Sequence, residues 1–443
     1  MKNLPITIIL LIGIQFNLFS QDCLPWGVQF FTQQEIDDFQ VNNPGCTEIG
    51  GLVTVFGPTI TNLDGLSTVT SMKGGISIFD CPDLVSIEGL SNVSNLGPVG
   101  NVFLSGLPNL ESLAGLEGLD TINGSLIIGG GSYGGIIQLE NLAGLNNLKA
   151  VGGYVEVSNC SALTSLWGLH QLSSIGGRFN IFNNNLLPNL SGLESLTSVG
   201  LNPAGTGDDL NIGNLGFGGN DSLQNLIGLN NLQTIGGDLN INLNWNLQTL
   251  FGLQNLSSIG GNLHLFYNDQ ITNLQGLESI ESIGGNIEIA SCLNLETLQG
   301  IENIEGNSIE GIDISMNPLL SECDIQSICS FLISPTGIVT FESNAPGCNS
   351  QEEVEAACLT GFSELEAVSS VTIFPNPADE TIFITANNHQ QINVVNIYDL
   401  AGELVLKAKG DLMNIKVNTL NPGMYLVEIV LENQSYRQKL IIQ

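Results

Sequence analysis

Few residues in this chain could do covalent or acid–base chemistry, and their placement argues against it. Histidine occurs only at His170, His264 and His389. No H-E-x-x-H, Walker loop or paired C-x-x-C is present. A polysaccharide lyase would need bases and cations converging on a uronate. The central region offers only Lys73, Lys149 and Arg178, each in a different repeat. Hard-cation loops need carboxylates at D-x-D-x-D-G spacing, and Gly207-Asp208-Asp209 lacks it. No cofactor is therefore assigned, and calcium is left unplaced. The 43 acidic residues face 9 basic ones, a net charge of -34, which repels phosphate backbones and removes nucleic acid as a partner.

Recognition chemistry is what remains: aromatic rings that stack, beside amides and carboxylates that bond hydroxyls. Tyr154, Glu156, Arg178, Asn180, Phe182, Asn240, Asn242, His264, Phe266 and Glu288 recur at matching places in successive repeats. They form the expected binding face. Two repeats also carry five extra residues each, between Ile128 and Leu139 and between Ile212 and Leu223. Both place an aromatic before Gly-Gly, Tyr133 in one and Phe217 in the other. A further insertion, LNPAGTGD, precedes Leu210. Insertions in repeat arrays emerge as loops, often on a binding face.

The elements that must position these residues follow from the repeat itself. Residues 235–258 read IGGDLNINLNWNLQTLFGLQNLSS, and the next two units repeat the frame. With Ile235 as position 1, Gly236 and Gly237 fill positions 2 and 3. Apolar residues fall at positions 5, 7, 13, 16, 19 and 22, and Gly252 at position 18. The frame starts at Ile49, Met72, Leu96, Ile122, Val151, Ile175, Val199, Ile235, Ile259 and Ile283, with a last turn at Ile312 and Ile314. That makes about eleven turns of roughly 24 residues, the period of a solenoid. Alternation at positions 5 to 7 predicts one short strand per turn, stacked in parallel on the next. The Gly pair suits a tight corner served by a left-handed φ. Position 10 is Asn184, Asn244, Asn268 and Asn317 in four turns, and Cys81, Cys160 and Cys292 in three others. A buried amide there can bond the backbone of neighbouring turns, and cysteine is a small, buriable substitute. Those three thiols are read as unpaired core residues.

The strand–Asn–leucine pattern resembles the leucine-rich repeat. Its I-G-G-x-L-x-I opening resembles more closely the receptor L domain, the ligand-binding β-helical module of the insulin and growth-factor receptor family. The resemblance spans roughly residues 49–320. It implies a right-handed parallel β-solenoid and a recognition role, without naming a ligand.

The ends differ from the middle. Residues 1–20, with Lys2 before an apolar run from Leu4 to Ile14, read as a secretory signal peptide. Residues 21–48 read as an N-terminal cap, with a helix from Thr32 and a Cys23–Cys46 bridge. Residues 321–360 read as a second cap with helices near 324–332 and 351–358. Its four cysteines allow three pairings; Cys323–Cys348 with Cys329–Cys358 is the expectation taken, the others staying open. Residues 361–370 read as a linker. In residues 371–443, strands alternate with turn signals, which predicts a small antiparallel β-sandwich. The fold class is thus mainly β: a solenoid with disulfide-bonded helical caps, then the sandwich.

Within that last segment stand Phe374-Pro375-Asn376-Pro377-Ala378, Ile397-Tyr398-Asp399-Leu400-Ala401-Gly402, Pro422-Gly423-Met424-Tyr425 and the final Lys439-Leu440-Ile441-Ile442. In this order they resemble the type A C-terminal sorting domain of the type IX secretion system of Bacteroidota. The family usually has Tyr before Pro-Asn-Pro, where this chain has Phe374. Pro375, Asn376, Pro377, Gly402, Gly423, Tyr425 and Lys439 are the residues that carry the match. The resemblance implies partnership with that machinery and a cell-surface or extracellular location. It also implies removal of this domain, with release or attachment to surface lipopolysaccharide. The expected function is a non-enzymatic binding or adhesion protein recognising an extracellular protein or glycan. A structural surface protein without a ligand is the alternative, and a polysaccharide-degrading enzyme is the remote one.

Overall fold

The structure is a computed structural model that describes residues 22–130, 134–200, 208–361, 371–386, 392–399, 404–409, 414–430 and 435–442. The signal segment, Tyr133, His389, Gly402 and nearly all of the expected linker lie outside the described residues, as does most of the LNPAGTGD insertion.

Thirteen short parallel strands form one continuous sheet, from Val28–Phe30 through Leu239–Asn242 to Val339–Glu342. It therefore runs one strand beyond the repeat at each end. Neighbours pair in exact sequence frame, for example Leu239 with Leu263, Asn240 with His264 and Ile241 with Leu265. A second sheet of seven two-residue strands, Thr121–Ile122 to Ser282–Ile283, lines another side of the coil. Inside, the six apolar positions of the reference turn, Leu239, Ile241, Leu247, Leu250, Leu253 and Leu256, are fully buried. No turn could bury these groups alone, so each is stabilised by its neighbours.

Two glycine roles separate here. Gly236, Gly260 and Gly284 do not adopt a left-handed φ, contrary to expectation. A Cβ at each would lie 1.7, 2.1 and 2.2 Å from the carbonyl oxygen of Gly200, Gly236 and Gly260, one turn away. These positions need glycine because stacked backbones touch there. The left-handed conformation recurs instead at position 18, as at Gly252 with φ 124°, and at Gly97 and Gly200, which hold position 2 in turns that lack a Gly pair.

From Val53–Phe56 onward, each strand of the long sheet is followed by a left-handed residue, such as Leu243 (φ 59°) or Tyr267 (φ 58°). That kink turns position 10 inward, where the amides form a ladder. The Asn220 N–H donates to Asn244 Oδ1 (3.1 Å), and the Asn244 N–H donates to Asn268 Oδ1 (3.3 Å). Each Nδ2 donates to a strand carbonyl of the preceding turn: Asn244 to Ile212, Asn268 to Ile241, Asn317 to Ile289. Asn220 belongs to the ladder although its loop insertion hides it from the period. Asn344 extends it past the last repeat by accepting from the Asn317 N–H. Cys81, Cys160 and Cys292 are buried and unbonded to one another.

At the N-terminal end, Thr32 and Glu35 form a capping box on the helix Gln33–Asp37. Ile36 and Phe39 close the coil's core, and Cys23 is bonded to Cys46. At the other end come the helices Gln326–Leu332 and Gln351–Gly361, with Cys323–Cys348 and Cys329–Cys358 bonded. The C-terminal segment holds two antiparallel sheets, of three and four strands, around one core that includes Ile384, Ile397, Val427 and Leu440.

Candidate functional site

The outward residues at position 6 form a single row across six strands, hydrogen-bonded through the first five. Asn180 Nδ2 donates to Glu156 Oε2 (3.3 Å), Asn211 Nδ2 to Asn180 Oδ1 (2.9 Å), and Asn240 Nδ2 to Asn211 Oδ1 (2.9 Å). His264 Nδ1 lies 2.6 Å from Asn240 Oδ1. Its Nε2 lies 3.4 Å from Glu288 Oε2, close enough for an ion pair but not aligned as a hydrogen bond. A carboxylate thus stands at each end of a run of amides. Much of the amide capacity that sequence assigns to a ligand is spent between turns.

A neighbouring row does the same for the backbone. Asp209 Oδ1 accepts from the Asp238 N–H, Asp238 Oδ1 from the Asn262 N–H, and Asn262 Oδ1 from the Asn286 N–H. This gives Asp209, half of the weak calcium candidate, a structural role. Further exposed asparagines, including Asn147, Asn246, Asn255 and Asn303, donate to carbonyls of the preceding turn. The abundance of asparagine is therefore largely a stitching device between stacked turns.

Two of the expected face residues are not on the face. Phe182 and Asn242 are each only 6% exposed. Strand alternation does point position 8 outward, but at Phe182 the inserted segment after Ile212 folds over it. Phe217, in that segment, stacks on Phe182 with centroids 5.7 Å apart and planes at 21°, and is itself 70% exposed. The insertion is held by Asn214 with Gly218 and by the Asn183 N–H donating to the Gly219 carbonyl. The segment after Ile128 acts similarly three strands away. Ser105 Oγ donates to the Gly134 carbonyl (3.1 Å), and the outward Ile127 is 7% exposed. The loops thus cover the outer face on both sides of the strands Val155–Ser158 and Phe179–Phe182.

Between them lie Tyr154, Glu156, Arg178 and Asn180. The Arg178 guanidinium sits over the Tyr154 ring, 5.5 Å from its centroid. It makes no ion pair among the described residues, although the chain is strongly acidic. Further along the face, Phe266 is half-buried and stacks on His264 at 5.6 Å. Lys73, by contrast, is tied to Asp22 and Glu48, and hydrogen bonds to those two carboxylates, Asp22 first, raise its pKa.

Among the described residues catalytic geometry does not assemble. His170 stacks flat on Trp167, centroids 4.4 Å apart. Gly130 to Gly134 spell G-x-S-x-G, yet the strand before them leads into another coil turn, not the helix a nucleophile elbow requires. Ser132 lies outside the described residues. Among the described residues no three His, Cys, Asp or Glu side chains gather around a point that could hold a metal.

Sequence reasoning missed one feature of the face. Phe31, Phe56, Phe79 and Phe103 form an aromatic row across the first turns, with centroids 5.1 to 6.3 Å apart. Phe56 and Phe79 occupy position 8 of the frames starting at Ile49 and Met72, so the period held the signal.

In the C-terminal segment, Tyr425 donates its hydroxyl to the Asn421 carbonyl (2.8 Å), closing the Asn421-Pro422-Gly423 turn. Asn376, exposed between two prolines, bonds the backbone of Lys439 and Ile441.

Residues 372–443 match the family described as the secretion system C-terminal sorting domain. The chain is accordingly exported by the type IX system to the cell surface or the extracellular space. No curated protein matches the chain. Among solved structures, InlP of Listeria monocytogenes is similar at 13% identity and a TM-score of 0.20, over 94% of this chain and 88% of that one. That likeness is too loose to bear on function.

Proposed function

We propose that the coil is the non-enzymatic recognition module of this exported protein, meeting an extracellular protein or glycan on its outer strand face, with adhesion as its role. The observation that carries this is Phe217. A solvent-facing ring is stacked on a buried one, and on the same outer face the Arg178 guanidinium, which makes no ion pair among the described residues, lies over the Tyr154 ring. A rigid exposed aromatic loses little entropy on binding, and an unpaired guanidinium offers five donors in a fixed fork. Tyr154, Glu156, Arg178, Asn180 and Phe217 form the centre of this face, with His264, Phe266 and Glu288 along its flank.

The test is a glycan array and a surface-protein pull-down with the exported protein, alongside adhesion of a deletion strain. Phe217→Ala and Arg178→Ala should each weaken binding about tenfold, the loss of one good contact. Unchanged adhesion on deletion, with no ligand retained by the wild-type protein, would overturn the proposal. A second reading, a structural surface protein, draws on the amide rows, whose groups are largely satisfied internally. It expects both substitutions to be silent.

A further inference from the structure

The terminal strand Ser435–Ile442 pairs antiparallel with Gly423–Val430, setting Tyr425 opposite Leu440 and Gly423 opposite Ile442. Its sequence ends Lys-Leu-Ile-Ile, and three successive apolar residues specify facing poorly. Alternation alone does not choose between burying Leu440 with Ile442 and burying Ile441, and a one-residue slip would exchange the two faces. Leu440 and Ile442 are the ones buried.

The choice is fixed from the strand's other edge. Asn376 Nδ2 donates to the Lys439 carbonyl (2.7 Å), and the Ile441 N–H donates back to Asn376 Oδ1 (2.9 Å). Two residues on, the Ala378 N–H donates to the Ile441 carbonyl (2.7 Å). Pro375 and Pro377 have no N–H to give, so this stretch cannot form an ordinary ladder. The side-chain amide between them supplies the missing donor and acceptor, at the spacing a neighbouring strand would use. Residues more than sixty positions apart in sequence thereby hold the last residues of the chain from both sides.

We propose that Asn376 is a positioning residue for export: its amide locks the terminal strand in one register, and the secretion machinery accepts the sorting domain only in that register. The Asn376 side chain is exposed, so its removal leaves Lys439 and Ile441 groups that water can satisfy. The domain should therefore stay folded while its end frays.

The experiment uses the full chain in a host with a working type IX system, comparing wild type, Asn376→Ala, Asn376→Asp and Ile384→Val. The last substitution trims a buried core residue of the same segment and controls for stability. Export is read as surface or medium protein against retained precursor. Amide exchange at Ile441 and the unfolding midpoint are read on unprocessed protein made without the export system. Asn376→Ala should speed Ile441 exchange about tenfold, the worth of one net hydrogen bond, and leave most of the chain retained. Asn376→Asp keeps an acceptor for the Ile441 N–H but loses the donor to Lys439, and should fall between. Ile384→Val should be exported normally at a similar or lower midpoint. Normal export of Asn376→Ala despite faster exchange overturns the proposal. So does retention of Ile384→Val as strong as that of Asn376→Ala, since stability alone would then explain both. Should Asn376→Ala fail to fold, Asn376→Asp decides: retention rising with Ile441 exchange supports the role, and full export with raised exchange refutes it.

Discussion

Substituting Asn244 by alanine should be among the most damaging single changes to the coil, and the size of the effect follows from its bonds. The side chain is fully buried. It donates to the Ile212 carbonyl (2.9 Å) and the Asn242 carbonyl (3.0 Å), and accepts from the Asn220 N–H (3.1 Å) and Asn220 Nδ2 (3.2 Å). Alanine leaves at least the Ile212 carbonyl and the Asn220 N–H without that partner in a dry interior. At about 1–3 kcal/mol for each orphaned group, the cost is roughly 2–6 kcal/mol. Asn244→Cys should cost far less, about 1 kcal/mol, because a thiol can make weaker versions of the same two bonds. Cys292 does so in its own turn: its sulfur lies 3.7 Å from the Leu265 carbonyl and takes the backbone N–H of Asn268. The assay is urea unfolding with hydrogen exchange across residues 210–270, since stacked repeats can open locally. Equal losses for alanine and cysteine, or a loss under 0.5 kcal/mol for alanine, an ordinary surface value, would refute the ladder as a stabilising device.

The three free thiols should resist alkylation in the native protein. Burial pushes Cys160 and Cys292 up to about 12 and Cys81 up to about 11, from an ordinary 9.0, so labelling at pH 8 should require unfolding. A folded pKa above the unfolded one contributes stability that is intact below pH 9 and lost as pH rises toward 12. Cys292→Asn should therefore flatten the alkaline fall in stability, measured as unfolding midpoint against pH. Phe182→Ala should destabilise the coil by ~3 kcal/mol, whereas Phe217→Ala should leave the midpoint nearly unchanged, since only the first ring is buried. Gly252→Ala should cost at least ~2 kcal/mol in the same assay, because the left-handed backbone is strained for alanine. Its Cβ would also sit 1.9 Å from the Leu226 carbonyl oxygen.

The buried positions were legible because one physical demand repeats: each turn must offer the same apolar residues and the same corner amide to its neighbours. The face was legible only in part. Strand parity places position 8 outside, and for Phe266 that holds well enough. For Phe182 and Asn242 it fails; at Phe182 the reason is that covering depends on where an insertion from another turn folds. Asn220 shows the same limit from inside. Its insertion shifts it out of frame in sequence, while the stacking of turns brings it back into the ladder.

By itself, then, the sequence determined the parallel coil, the corner ladder with its cysteine substitutes and the sorting segment. The coil and its ladder follow from the local period, which fixes what each turn must bury; the sorting segment follows from the resemblance of its motifs to a known family. Only the tertiary structure decided which outward residues meet solvent, how amides pair along the face, and that Asn376 reaches the chain's last strand. Those depend on contacts between residues one turn or sixty positions apart, which no local pattern encodes.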